Sequence, residues 1–285
     1  MRKSLFIAVL SLITVSLQAQ IQTPMASPPA SVSTVVGLTE VKIEYFRPSL
    51  KGRKIFGAKD VMYPHGTIWR TGANSGTKIS FSDDVKVEGV QVPKGEYLIY
   101  TWPNAGEWTV SLYKDLSLGG NTPAYDASKE AAKFKVKTRT LRDKVETFTI
   151  TIDDVAPDNK SAKVTLAWEK TAVPFKVEVD YDDRVMKSIE STLNSDKANP
   201  GAYYQAAVYY LETGRDLKKA LEWINVAAEA NPSAFWILHQ KAKIQKALGD
   251  KKGAIESATA SLNAAKEAKN RDYETMNQQL INSLK

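Results

Sequence analysis

The feature that most constrains this chain is a break in hydrophobic period near Tyr181. Before it, apolar residues recur every second position. Val41, Ile43 and Tyr45 alternate with Lys42, Glu44 and Phe46, and Ile79 and Phe81 alternate with polar partners. Leu98 and Tyr100 face one way while Tyr97, Ile99 and Thr101 face the other. Trp108-x-Val110-x-Leu112, Phe148-x-Ile150-x-Ile152, Val164-x-Leu166-x-Trp168 and Phe175-x-Val177-x-Val179 continue the pattern as separate strands. Turn chemistry lies between them at Glu88-Gly89, Pro93-Lys94-Gly95, Pro103-Asn104-Ala105-Gly106 and Pro157-Asp158-Asn159. Short strands with period two and regular turns predict an all-β antiparallel sandwich over residues 32–180. After Tyr181 the period becomes helical, which predicts an all-α domain over residues 181–285.

In the helical part, Val185, Ile189 and Leu193 line one face of a first helix, expected to end at Asn199-Pro200-Gly201. Two similar segments follow, Ala202 to Pro232 and Ala234 to Lys266. Ala220-Leu221-Glu222 and Ala254-Ile255-Glu256 stand 34 residues apart, and Thr213-Gly214 matches Leu248-Gly249 one residue out of step. A helix–turn–helix period of 34 with small residues at the contacts resembles tetratricopeptide repeats, here two repeats and a capping helix near Tyr273 to Leu284. Such arrays bury a face that each repeat leaves for its neighbour. The resemblance implies a protein or peptide partner, with docking and simple packing both open for so short an array.

The N-terminus reads as a secretory leader over residues 1–19. Arg2 and Lys3 precede an apolar run from Leu5 to Leu17, with cleavage expected near Ala19. A Pro-, Ser- and Ala-rich lead-in spans residues 20–31. The expected destination is the periplasm or the exterior, with no transmembrane span elsewhere, since spanning needs about 20 apolar residues. The chain has no cysteine, which excludes disulfides and cysteine-linked lipid. Its net charge of +7 is spread over both halves, so no nucleic-acid partner is expected. Lys133, Lys135, Lys137 and Arg139 fall on one face opposite Ala132, Phe134 and Val136. They read as the charged face of an edge strand, blocking edge-to-edge pairing.

One stretch breaks the alternation. Tyr45 to Asn74 mixes Arg47, Lys51, Arg53, Lys54, His65 and Arg70 with Tyr45, Phe46, Phe56, Tyr63 and Trp69. Long aperiodic segments in compact domains usually serve a purpose. The pattern Tyr45-x-Arg47-Pro48-x-x-Lys51-Gly52-Arg53-x-Ile55-Phe56-Gly57, then Trp69-Arg70-Thr71-Gly72-Ala73-Asn74, resembles an exported bacterial family known as domain of unknown function 2911. The likeness extends through Val85 to Gly89, Glu107 to Val110 and Trp168-Glu169. It implies an exported β-rich domain, often followed by helical repeats, with no established activity. The family pattern usually has an aromatic residue where His65 stands, which weakens any shared catalytic role for His65.

Residue types narrow the chemistry. With no cysteine and two histidines, thiol catalysis and multi-histidine metal sites are excluded, and no Gly-x-Ser-x-Gly elbow occurs. His239 is expected on the polar surface of a helix. Asp83-Asp84, Asp153-Asp154 and Asp182-Asp183 lack the spacing of a calcium loop, and Lys51-Gly52-Arg53 lacks that of a phosphate loop. No cofactor, metal or catalytic residue is assigned. What remains is an arginine–aromatic group suited to an anion or acidic glycan: Arg47, Lys51, Arg53, Tyr63, Trp69, Arg70 and Asn74. A structural role is open for the same residues, the arginines satisfying loop carbonyls while Trp69 and Phe56 plug the sandwich. Trp102 and Trp108 read as a cross-strand aromatic pair, with a binding platform as the alternative. The residues thus suggest an exported envelope binding or assembly module. The alternative is a hydrolase-type enzyme acting on an envelope glycan or other anionic substrate.

Overall fold

The computed structural model describes residues 23–285, so the leader expected over residues 1–19 lies outside the described residues. The chain divides into two compact units, the first ending at Asp180 and the second starting at Tyr181. Among the described residues no helix is long and apolar enough to cross a membrane.

The first unit is built from β1 (Pro29–Val36), β2 (Thr39–Phe46), β3 (Phe56–Gly57), β4 (Tyr63–Pro64), β5 (Thr77–Phe81) and β6 (Val85–Val87). Then come β7 (Val90–Val92), β8 (Gly95–Trp102), β9 (Glu107–Tyr113), β10 (Glu130–Lys137), β11 (Arg139–Asp153) and β12 (Ser161–Val179). A six-stranded sheet runs β1-β2-β5-β8-β9-β10 and a four-stranded sheet β11-β12-β6-β7, all neighbours antiparallel. The inward alternate residues, among them Ile43, Ile79, Ile99, Leu112, Phe148, Phe175 and Val177, are buried, as an antiparallel sandwich requires. Strand β1 begins at Pro29, inside the stretch expected as a lead-in.

The strands differ from the sequence expectations at two places, β12 and Arg139. The segments around Leu166 and Val177 are one strand, β12, of 19 residues. Its first part pairs with β11 as far as Ala172 and its end pairs with β6 from Val177. Pro174 falls between the two zones, where its missing N–H leaves no ladder bond unmade. Arg139 is not on the lysine strand but opens β11. Lys133, Lys135 and Lys137 are exposed on the edge strand β10, with Ala132, Phe134 and Val136 buried behind them. Strand β8 is buried on both faces. Leu98 and Tyr100 join Tyr113, Ile68, Trp102, Leu118 and Tyr125 in a satellite cluster distinct from the face of Ile99.

The second unit comprises α1 (Asp182–Leu193), α2 (Pro200–Glu212), α3 (Leu217–Ala230), α4 (Phe235–Ala247), α5 (Lys251–Glu267) and α6 (Arg271–Asn282). Asn199-Pro200 opens α2 and does not end α1: Asn199 Oδ1 accepts from Ala202 N at 3.0 Å. Proline at the first helical position loses no bond there. Small residues at the helix contacts are buried, Ala207, Ala220, Ala227 and Ala228 in one cluster and Ala242 and Ala258 in the next. The α2–α3 and α4–α5 turns share one chemistry. Gly214 N donates to Leu211 O and Arg215 N to Tyr210 O; Gly249 N donates to Lys246 O and Asp250 N to Gln245 O. Both are Schellman closures with glycine at positive φ, +65° and +81°. Asp216 and Asp250 then cap the following helices. Arg215 is the extra residue that puts the two turns one position out of step.

Candidate functional site

The Tyr45–Asn74 block closes the sandwich through groups far away in sequence. Tyr45 Oη accepts from Ile150 N at 3.1 Å. Arg47 Nε donates to Phe148 O at 3.2 Å and its Nη2 to Thr149 Oγ1 at 3.0 Å. Leu50 to Arg53 form a tight turn, Arg53 N donating to Leu50 O at 3.0 Å. Lys51 and Gly52 both have positive φ, 48° and 76°, the mark of a type I′ turn. The short β3 and β4 pair in parallel, and Trp69 exchanges backbone bonds with Thr101 at 2.8 and 2.9 Å.

These ties hold an aromatic plug. Phe56 meets Trp69, Trp108 and Trp168 edge-on at 5.3, 4.6 and 6.0 Å, favourable geometries for ring quadrupoles. Trp69 is 1% exposed, and its Nε1 donates to Gly72 O at 3.2 Å. Thr71, buried and β-branched, has φ 54°, a genuine outlier for such a residue. Its hydroxyl pairs with Thr101 Oγ1 at 3.0 Å, and Thr77 Oγ1 donates to its carbonyl. Such over-determined strain concentrates at functional sites.

Beside the plug lies a cleft of about 510 Å³ lined by Lys51, Arg53, Met62, Tyr63, Arg70, Asn74 and Trp168, with Pro48, Ser49 and Ala73 among its walls. The lining includes three cationic side chains and no acidic one. None of the three joins an ion pair among the described residues. Arg53 is fastened to the block itself, Nε donating to Leu50 O at 2.9 Å and Nη2 to Ser49 O at 2.7 Å. Among the described residues Arg70 makes one bond, Nη1 to Asn74 O at 2.9 Å. Burial pushes the Tyr63 phenol above its ordinary value, while the Arg70 and Arg53 charges pull it down. Its hydroxyl is therefore a neutral donor at physiological pH, set among cations.

Of the candidate residues, Lys51, Arg53, Tyr63, Arg70 and Asn74 share this cleft; Arg47 and Trp69 do not line it. Arg47 is spent on strand β11, and Trp69 is core. Trp168, which closes the cleft, was legible only as an alternating strand residue and as part of the family likeness. Gly120 has no motif around it that marks it in the sequence. A Cβ there would meet Arg70 Nη1 at 2.4 Å and Asn74 O at 2.6 Å. Trp102 and Trp108 are not a pair. Trp102 stands opposite Thr109 and meets Tyr125 and Lys133, while Trp108 stands opposite Val136 and packs on Phe56. The offset across the hairpin sends the two indoles to opposite faces. His239 is not a surface residue but 9% exposed, with Nδ1 2.8 Å from Asn277 Oδ1. Among the described residues no group of three or more His, Cys, Asp or Glu is placed to hold a metal ion.

No curated protein matches the chain significantly. Among solved structures, the chain is similar to a tetratricopeptide repeat domain protein from Salinibacter ruber. That match has 18% identity and TM-score 0.29, covering 32% of this chain and 91% of that one. It is also similar to a protein from Bordetella parapertussis, at 19% identity and TM-score 0.32, covering 35% of this chain and 86% of that one. The sequence model of the family described as "Protein of unknown function (DUF2911)" matches residues 27–177, more than half of the chain. The motif block and the aromatic plug lie inside that span, and the chain belongs to this family.

Proposed function

We propose that this protein is an exported cell-envelope binding module, its β unit taking an anionic ligand and its helical repeats contacting a protein. The observation that carries the reading is the cleft beside the aromatic plug. Lys51, Arg53 and Arg70 line it without an ion-pair partner among the described residues and without an acidic neighbour in the lining. Like charges on one concave surface favour an anion, which relieves their mutual repulsion; the Glu146 carboxylate, outside the lining, is taken up by the Lys51 backbone N–H at 2.9 Å. Tyr63, Met62 and Trp168 supply the apolar body of the wall, the mixed character usual for small-ligand sites. Export rests on the leader read over residues 1–19. Partner contact by the helices is supported by a groove of about 660 Å³ lined by Leu211, Lys243, Met276 and Leu280.

The test is calorimetric titration of the full chain with a uronic-acid disaccharide and with its neutral reduced counterpart, at low and moderate salt. Binding of the acidic sugar alone, weakening as salt rises, supports the reading. Equal binding of both, or of neither, overturns it. For the helices, a photo-crosslinker at Met276, 37% exposed, should trap one specific adduct in the native cells, and its failure removes the protein-partner half.

A further inference from the structure

The three arginines of the motif block differ in one respect that sequence cannot show: which edge of each guanidinium is still free. An arginine recognises a carboxylate best through two parallel donors, and the Nε–Nη2 edge is one such fork. In Arg47 that edge is closed, Nε on Phe148 O and Nη2 on Thr149 Oγ1. In Arg53 it is closed too, Nε on Leu50 O and Nη2 on Ser49 O, leaving Nη1 against Met62 Sδ at 3.7 Å. In Arg70 the only bond among the described residues is from Nη1, to Asn74 O. Its Nε and Nη2 have no acceptor among the described residues, and the side chain lines the cleft.

Arg70 is also held in place. Gly120 packs so closely that an added Cβ would lie 2.4 Å from Nη1 and 3.1 Å from Cζ. The Gly119–Gly120 segment is tied down by Tyr100 Oη, which donates to Gly119 O at 2.6 Å. On the other side, Asn74 presents its carbonyl from a left-handed backbone, φ 53°. The Nη1 side is thus clamped, and a fixed fork loses less freedom on binding than a mobile one.

We infer, building on the anion-cleft reading above, that Arg70 is the specificity residue of the cleft. Its Nε–Nη2 fork receives a carboxylate carried by a small organic ligand. Arg47 is a structural staple, Arg53 is chiefly one, and Lys51 contributes charge. A carboxylate matches one open fork because its two oxygens lie in a plane with the spacing of the two donors. A phosphate offers oxygens in three dimensions and is better served by donors from several directions.

The experiment titrates the full chain and the variants Arg70→Lys, Arg53→Lys, Arg47→Lys and Gly120→Ala with glucuronate and with inorganic phosphate. Thermal unfolding of each variant is recorded alongside. Arg70→Lys keeps the charge and removes the fork, so glucuronate affinity should fall about 10- to 100-fold, the scale of a lost charge-assisted bond. Arg47→Lys should bind as the unchanged protein does, and Arg53→Lys should lose less than Arg70→Lys. Gly120→Ala should weaken glucuronate with Arg70 still present, through displacement of the clamp. Arg70→Lys binding like the unchanged protein, or Arg53→Lys losing more, overturns the assignment of Arg70 while leaving the anion cleft standing. Phosphate binding tighter than glucuronate overturns the carboxylate. Absence of binding to the unchanged protein overturns the anion cleft and this inference together.

Discussion

The indole of Trp69 stacks on that of Trp168, ring centroids 5.6 Å apart and planes inclined by 22°. The contact joins the irregular motif block to the long strand β12. Both side chains are almost fully buried, and Phe148 packs on each, at 5.2 and 5.8 Å. Trp69→Ala should therefore destabilise the β unit by about 3–5 kcal/mol, the range for emptying a large aromatic site. Combined with Trp168→Ala, the loss should be non-additive by about 0.5–1.5 kcal/mol. Urea denaturation of the single and double variants measures both, and strict additivity would show that the stack itself contributes nothing.

The helical turns offer a paired test of backbone conformation. Lys269 closes α5 with φ 56°, its N donating to Lys266 O and Asn270 N to Ala265 O. This is the closure that Gly214 and Gly249 make. Lys269→Gly should stabilise the helical unit by about 0.5–1 kcal/mol, since only glycine occupies that region without cost. Gly249→Ala should destabilise it by about 1 kcal/mol. Opposite signs in thermal unfolding confirm the shared geometry; equal signs refute it.

His239 should make the helical unit sensitive to mild acid. Asn277 Nδ2 donates to Ser261 Oγ and Tyr273 O at 2.7 Å, so its Oδ1 faces the ring and His239 Nδ1 carries the hydrogen. Burial pushes the imidazole below the ordinary histidine value; the Asn277 bond opposes this and the nearby Lys243 charge adds to it. The edge of Tyr273 covers the ring, and Lys246 lines the same groove. With a depressed folded value, the unfolded chain takes up the proton first. Stability is whole above about pH 6.5 and falls as pH drops through the folded value. Chemical denaturation at pH 8, 6 and 5 should show that decline, and His239→Asn should flatten it. A decline unchanged in His239→Asn assigns the effect elsewhere.

The lysines of β10 make a prediction about solubility and not about stability. Lys135 pairs with the exposed Glu107 at 3.2 Å, a contact that contributes at most about 1 kcal/mol. Replacing Lys135 and Lys137 with threonine should leave unfolding within about 1 kcal/mol of the original. It should also expose an edge ready to pair with another chain. Light scattering across a concentration series should rise for the variant, and identical traces would refute the role.

The order of two architectures, the lysine edge, the helix-repeat spacing and the motif block are local patterns, and each was legible from residue order. Misreadings arose where a partner far along the chain decided the outcome. His239 looks like a polar helix residue until Asn277, 38 positions on, covers it. Trp102 and Trp108 look paired until the hairpin register places them on opposite faces. Val164 to Trp168 and Phe175 to Val179 look like two strands because Pro174 interrupts them. Only the sheet shows that the proline sits between two pairing partners.

The same division holds at the cleft. Sequence alone determined that arginines, tyrosine and tryptophan would be concentrated between Tyr45 and Asn74, because composition and spacing are properties of the chain. Tertiary structure decided which of those groups remain available. Arg47 is closed by a carbonyl 101 positions away, and Arg70 is clamped against Gly120, fifty residues downstream. A guanidinium's chemistry is set by its residue type, but its free edge is whatever the folded backbone leaves unbonded.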